Sequence, residues 1–366
     1  MPTTQTHLST DHWAYLHGAP LAKGEIKRSP EDFFVEELLG FEPSGEGEHS
    51  FLLVEKVNAN SAYVGELIAK FAKVPLRDVG FAGRKDKYAK TIQWFSVYHG
   101  NRPKPDWSTF DFPEIKILKT TLHNKKLKTG VLKANRFTLK VYLTSEISAD
   151  KLLQRIENIR ASGVPNYFGQ QRFGEMRASD GKVYLNGNLD LAQRLLAGEQ
   201  IRNRNKRNIV ISALRSWLFN EVVSARISAQ NHNKVLAGDT LLLSGSNSFF
   251  TSQIEQLNEN QQRLDSRDIQ LSAPLWGKPK STKDSNSQLL EAIEFEQTVI
   301  QQHSDICACL EDLGLTQERR PLMLFPKDMT VDLQQDCLTL TFTLPKGSFA
   351  TSVLREMIDV QAAEEQ

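Results

Sequence analysis

Apolar and polar positions along this chain change period several times, and each change marks an element. Cys337 to Leu344 (CLTLTFTL) sets Leu338, Leu340, Phe342 and Leu344 against alternating threonines, the cleanest two-residue period in the sequence. Strand side chains point alternately to two faces, so this run predicts a strand with one apolar face. Val131 to Leu143 predicts a longer one, with Asn135, Phe137, Leu139, Val141 and Leu143 on one face and Arg136 and Lys140 on the other. Asp32 to Glu37 puts Phe33, Val35 and Glu37 together in the same way. Val79–Gly83 reads as a buried strand ending in a glycine, and Thr91–Tyr98 is rich in the β-branched and aromatic residues that strands prefer. Residues 61–73 instead repeat through Val64, Leu67, Ile68 and Phe71 at helical spacing. Asn60 or Ser61 can cap that helix, and Val74-Pro75 ends it. Ala149–Ser162 is amphipathic and closed by Gly163. Ser212–Ser228 and Ala350–Val360 also follow the helical period.

The strand-rich ends surround a middle of different texture. Residues 164–325 hold the glycine-rich run Asn166–Gly174 (NYFGQQRFG), then helices and polar loops, among them an expected exposed loop over 276–287. A chain of 366 residues suggests about two domains, here one built from both termini and a second inserted between them. No phosphate-binding P-loop is present, and no GxGxxG run opens a helix, so nucleotide-cofactor chemistry has no footing.

Composition narrows the class. The chain is 40% hydrophobic and 24% charged, as in ordinary globular proteins, and no apolar run approaches the roughly 20 residues that span a bilayer. The first residues have neither the basic flank nor the apolar stretch of a secretory signal. Three cysteines form no disulfide framework, so a reducing cytoplasm is the expected compartment, with no membrane association. Cys307-Ala308-Cys309 lacks a second ligand pair at metal spacing, and no metal site is expected.

Net charge is +1, but its distribution is uneven. Lys116 to Lys140 holds eight basic residues and no acidic one, including Lys125, Lys126 and Lys128. A second cluster, Arg202, Arg204, Lys206 and Arg207, precedes a helical pattern. Segregated charge of this kind fits a phosphate backbone, and it also fits ordinary solvated faces. Asp86 stands alone among Arg84, Lys85, Lys87 and Lys90, between two predicted strands. By itself such a segment reads as a charged turn. A solitary carboxylate in a basic pocket can also act as a nucleophile toward an anionic substrate.

Several segments in order resemble the TruD family of tRNA pseudouridine synthases. They are Ser29–Phe33 (SPEDF), Gly40–His49 (GFEPSGEGEH), Phe81–Lys87 (FAGRKDK), Ala134–Thr138 (ANRFT), Val164–Gly174 (VPNYFGQQRFG), Arg204–Arg207 (RNKR) and Leu344–Glu356 (LPKGSFATSVLRE). The resemblance implies an α+β architecture. Residues 1–160 plus 325–366 would form a catalytic domain with the pseudouridine-synthase fold, a mixed, mainly antiparallel sheet with flanking helices. Residues 161–324 would be an inserted α/β TRUD domain. It further implies isomerisation of a tRNA uridine to pseudouridine, typically uridine 13 of a glutamate tRNA. Asp86 maps to the catalytic carboxylate, acting on a flipped-out nucleotide, and Phe33, Asn135, Phe137 and Phe349 map to substrate contacts. No cofactor is expected, tRNA is the expected partner, and no protein partner is implied.

The residue types suit that chemistry. A uridine taken out of its stack needs a replacement surface, and each base–aromatic stack is worth about 1–3 kcal/mol. An Asn amide offers both a donor and an acceptor to a uracil edge. Glu37 shares the strand face of Phe33 and is placed to pair with a basic residue near Asp86, Lys85 being a candidate. Lys125, Lys126, Lys128, Arg202, Arg204, Lys206 and Arg207 are candidate tRNA-backbone contacts. Two other readings use the same residues. A tRNA-binding module would need the basic clusters but not Asp86, and a metal-dependent RNA hydrolase would want clustered carboxylates or histidines.

Overall fold

A computed structural model describes residues 8–100, 102–174, 176, 177, 183, 184, 186–246, 248–279 and 290–362. Positions 280–287 of the expected exposed loop lie outside the described residues. The chain divides into two compact units. One comprises Pro20–Arg160, Pro326–Ala350 and Met357–Gln366, the other Met1–Ala19, Ala161–Phe325 and Thr351–Glu356.

The first unit is built on a ten-stranded sheet. Its strands in chain order are β1 (Ala22–Ile26), β2 (Phe33–Leu39), β3 (His49–Val57), β4 (Val79–Phe81), β5 (Lys90–Tyr98), β6 (Ile115–His123), β7 (Leu132–Leu143), β8 (Lys327–Gln334), β9 (Cys337–Pro345) and β10 (Ile358–Ala362). The main path runs β8-β9-β7-β2-β5-β3-β6; β1 pairs with β7 and β10, and β4 with β5. Only the β2–β5 and β1–β10 ladders are parallel, so the sheet is mixed and mainly antiparallel. Two helices of this unit are α1 (Ser61–Phe71) and α2 (Ala149–Ser162).

Both faces of the central strands are covered, which is why β5 is buried from Gln93 to Val97 on consecutive residues. Phe95 and Val97 pack with Leu52, Val54 and the α1 residues Val64 and Ile68. Trp94 packs on the opposite side with Phe51, Ala82, Leu127 and Leu132. On β9, Leu338, Leu340, Phe342 and Leu344 are all buried, as the threonine alternation predicts. Register sets Phe342 opposite Phe137 and Leu344 opposite Asn135.

The chain end differs from expectation. The helix predicted over Ala350–Val360 covers only Ala350–Arg355, and Ile358–Ala362 is the strand β10. β1 offers it a parallel partner with Ala22 opposite Ile358, and the Leu21 amide donates to the Met357 carbonyl at 2.8 Å. Gly24 is required there, because a Cβ would lie 2.8 Å from Val141 Cγ1.

The second unit centres on the helix α3 (Arg204–Ser228), which buries Val210, Leu214, Trp217, Phe219 and Val223. It begins at Arg204 rather than Ser212 because Asn203 caps it, its side chain accepting from the Lys206 amide at 3.0 Å. A four-stranded antiparallel sheet accompanies it, in the order Phe249–Thr251, Thr240–Leu243, Ile269–Leu275, Glu318–Pro321. Among the described residues, 8–19 and 351–356, expected in the catalytic domain, cluster here instead. Burial explains it. Trp13 stacks on Tyr167 at 5.7 Å, its Nε1 donates to Glu221 at 2.6 Å, and the Arg355 guanidinium lies 3.7 Å over the Tyr15 ring. Among the described residues no helix is long and apolar enough to cross a membrane.

Candidate active site

Asp86 lies in the irregular segment between β4 and β5, and that segment is pinned almost residue by residue. The Ala82 carbonyl accepts from the Gly130 amide at 2.6 Å, and the Gly83 carbonyl accepts from the Gln93 side-chain amide. The Lys85 amide donates to Ser61 Oγ at 3.0 Å, while Ser61 donates to Gln93 Oε1 at 2.7 Å. The Asp86 carbonyl lies 3.5 Å from Lys56 Nζ. Ser61, Gln93 and Lys56 are all buried. A loop whose backbone groups end on buried side chains is rigid enough to present a reacting group.

The Asp86 carboxylate meets Lys27, Nζ to Oδ2 3.4 Å, with both side chains partly exposed. Lys27 follows β1 in a left-handed conformation, φ 61°, uncommon outside glycine and recurrent where function fixes a side chain. Its ammonium also sits 4.3 Å from the centroid of the Phe33 ring, within cation–π range. Phe33 in turn meets Phe137 edge to face at 6.2 Å, and Phe137 lies 5.8 Å from Phe342. Phe33 and Phe137 are buried, so they form a floor rather than an open stacking surface.

Beside them runs a buried ion pair. Lys85 Nζ lies 2.6 Å from Glu37 Oε2, and the Glu37 side chain has no exposure. Glu37 also accepts from the Trp94 amide at 3.3 Å. Burying both charges is tolerable only with such additional hydrogen bonds. Cross-strand register sets Asn135 opposite Glu37, and Asn135 Oδ1 is a buried acceptor with no hydrogen-bond partner. Lys56 Nζ lies 2.5 Å from the Ala59 carbonyl, and burial, reinforced by the Lys85 charge, pushes its ammonium down to about 8 against the pull of Asp86.

The predicted residues therefore fall into groups. Asp86, Phe33, Phe137, Asn135, Glu37 and Lys85 come from neighbouring strands and one loop of the same unit. Phe349 is half-buried in the turn that follows β9, just past the Pro345–Ala134 pair. Lys125 and Lys128 are exposed on the β6–β7 connection, whereas Lys126 is half-buried and spends its ammonium on the Arg77 carbonyl. Arg202, Arg204, Lys206 and Arg207 are exposed at the start of α3, in the other unit. Sequence reasoning missed Lys27, Lys56, Ser61 and Gln93. Lys27 is remote from Asp86 along the chain, and Lys56 lies in a strand that the sequence reading did not single out. The capping position of Ser61 was an available signal.

The family model for tRNA pseudouridine synthase D (TruD) matches residues 10–209 and 202–357. A tRNA pseudouridine synthase D of Pseudoalteromonas atlantica is 47% identical over 98% of this chain and 99% of its own. One from Aeromonas salmonicida is 44% identical over 96% and 95%. The crystal structure of a TruD protein from Methanosarcina mazei superimposes with a TM-score of 0.67 at 20% identity, covering 94% of this chain and 95% of that one. That likeness shows the shared fold, and the sequence matches carry the assignment: the chain belongs to the tRNA pseudouridine synthase D family, whose members are isomerases.

Proposed function

We propose that this protein isomerises uridine 13 of a glutamate tRNA to pseudouridine, with Asp86 as the catalytic carboxylate. The observation that carries the reading is the convergence at Asp86. Lys27 links its carboxylate to the Phe33–Phe137 floor, and the unpaired Asn135 Oδ1 lies on the neighbouring strand face.

The reaction breaks the N1–C1′ bond, forms a C5–C1′ bond, removes the C5 proton and places one on N1. Atoms and charge balance without an oxidant, a reductant or a phosphoryl donor. Reaching C1′ requires the nucleotide to leave its stack, and the pocket must replace what is lost. An unsatisfied buried acceptor costs about 1–3 kcal/mol, and the uracil N3–H is a donor that satisfies Asn135 Oδ1. Phe33 and Phe137 support the base from below, and Phe349 closes the pocket from the turn after β9. Lys125 and Lys128, with Arg202, Arg204, Lys206 and Arg207, contact the tRNA backbone and supply affinity without reading sequence. Lys126 plays a smaller part, because its ammonium is already engaged.

The test is tritium release from unmodified glutamate tRNA labelled at C5 of uridine. Wild-type protein releases label, Asp86→Asn falls to background while still binding tRNA, and tRNA with cytidine at position 13 gives no release. An Asp86→Asn protein as active as wild type removes Asp86 from the mechanism. Undiminished release from the cytidine-13 tRNA removes the positional assignment.

A further inference from the structure

Lys56 is a buried cation that the chemistry above does not use. It occupies β3 on the same face as the core residues Leu52 and Val54, and its side chain has no exposure. Fully burying a lysine is costly, so the ammonium must have a specific occupation. Its two hydrogen-bond acceptors are both main-chain carbonyls: Ala59, in the turn that enters α1, at 2.5 Å, and Asp86 itself at 3.5 Å.

That pairing matters because of what each acceptor belongs to. Ala59 precedes the Asn60 cap of α1, and the same turn presents Ser61, which receives the Lys85 amide. The helix entry and the Asp86 loop are thus joined at two consecutive loop residues. Ser61 holds the amide of Lys85, and Lys56 holds the carbonyl of Asp86.

We propose that Lys56 is a positioning residue for Asp86, its buried ammonium fixing the Asp86 backbone to the turn that starts α1. The inference rests on Asp86 acting as proposed above. Lys56 touches neither the carboxylate nor, by its burial, the substrate, so its effect passes through the loop. A protonated amine holds a carbonyl more strongly than a neutral one, since charge-assisted hydrogen bonds are about twice as strong. The arrangement therefore carries a pH limit. The charged groups facing Lys56 are Lys85, which disfavours its proton, and Asp86, which favours it. Beyond them Glu37 neutralises Lys85, and Lys27 engages Asp86. Burial outweighs Asp86, and the ammonium loses its proton near pH 8. Turnover falls as pH rises through that value.

Single-turnover tritium release at saturating tRNA, from pH 6 to 9.5, reads this directly. The wild-type rate constant is expected to descend with a midpoint of about 8. Lys56→Met, close in shape but uncharged, is expected to lose about 10–100-fold at pH 7, the scale of a small misplacement of a reacting group. Its tRNA affinity stays within about twofold of wild type, because the charge–phosphate contacts lie elsewhere. Its residual rate no longer descends through pH 8. Lys56→Gln keeps a donor for the Ala59 carbonyl and serves where the methionine variant does not fold. It is expected to show the same loss and the same flat profile. Either variant with the wild-type rate, or with the alkaline limb intact, overturns the proposal. A wild-type rate that stays level to pH 9 overturns it whether or not a variant folds. Wild-type protein that releases no tritium at any pH would instead overturn the assigned reaction, so the two failures are distinct.

Discussion

Glu37 shows how much of the site depends on single buried charges. Its carboxylate has no exposure and meets Lys85 Nζ at 2.6 Å, with the Trp94 amide as a further donor. Glu37→Gln keeps the shape but leaves the Lys85 ammonium uncompensated, and removing one partner of a buried pair costs about 3–5 kcal/mol. A urea titration should show that loss as a lower midpoint with an unchanged slope. Glu37→Gln combined with Lys85→Met should recover much of the stability, because no lone charge remains. The double variant should stay impaired in catalysis, since Lys85 immediately precedes Asp86. Full recovery of activity in the double variant would show that the pair serves the fold alone. Half of this pair was legible in the sequence: two-residue alternation puts Glu37 on the face of Phe33, near a basic partner, but does not choose Lys85 over Arg84 or Lys87. Lys27 and Lys56 were not legible. Their roles depend on a left-handed backbone at Lys27 and on complete burial of a strand lysine. The first leaves no local pattern, and the second shows only in Lys56 sharing a strand face with Leu52 and Val54.

Strands and helices with a strong internal period were legible, and those defined by a distant partner were not. α1, α2 and β9 stand close to where alternation and capping put them. β10 was read as helix because its parallel partner β1 lies at the opposite end of the chain. Gly80 on β4 is a case where an element owes its place to a close approach. A Cβ there would lie 2.3 Å from the Leu127 carbonyl oxygen, whose segment also donates from Gly130 to Ala82. Gly80→Ala must push the β6–β7 connection outward, and overpacking of this kind costs about 1–3 kcal/mol. The same connection carries Lys125 and Lys128, so tRNA affinity should fall along with thermal stability. A variant that loses stability but binds tRNA like wild type would remove this connection from the RNA-binding surface.

Across the whole molecule, the change of texture near residue 161 was visible in the sequence, while the terminal segments that join the middle were not. Trp13 and Arg355 carry no periodic signal, and they belong to the second unit through aromatic contacts made far along the chain. Charge behaves similarly. A net charge of +1 produces little long-range attraction for a polyanion, so affinity must come from local clusters. The cluster at the start of α3 is informative because the fold gains nothing from it. Arg204, Lys206 and Arg207 are exposed within the first turn, where positive charge opposes the helix dipole by about 0.3–1 kcal/mol each. Replacing all three by glutamine should therefore leave the melting temperature unchanged or slightly higher. If these residues contact phosphates, tRNA affinity should drop at the same time. Each lost contact removes about 0.7–0.9 from the slope of log K against log salt, so the triple variant should flatten it by about 2–3. Tritium release at saturating tRNA should persist, since Asp86 and its supports are untouched. A salt titration with the wild-type slope would assign the cluster to an ordinary solvated helix end. A flattened slope with intact stability would separate binding from folding, because the same substitutions would weaken one and spare the other.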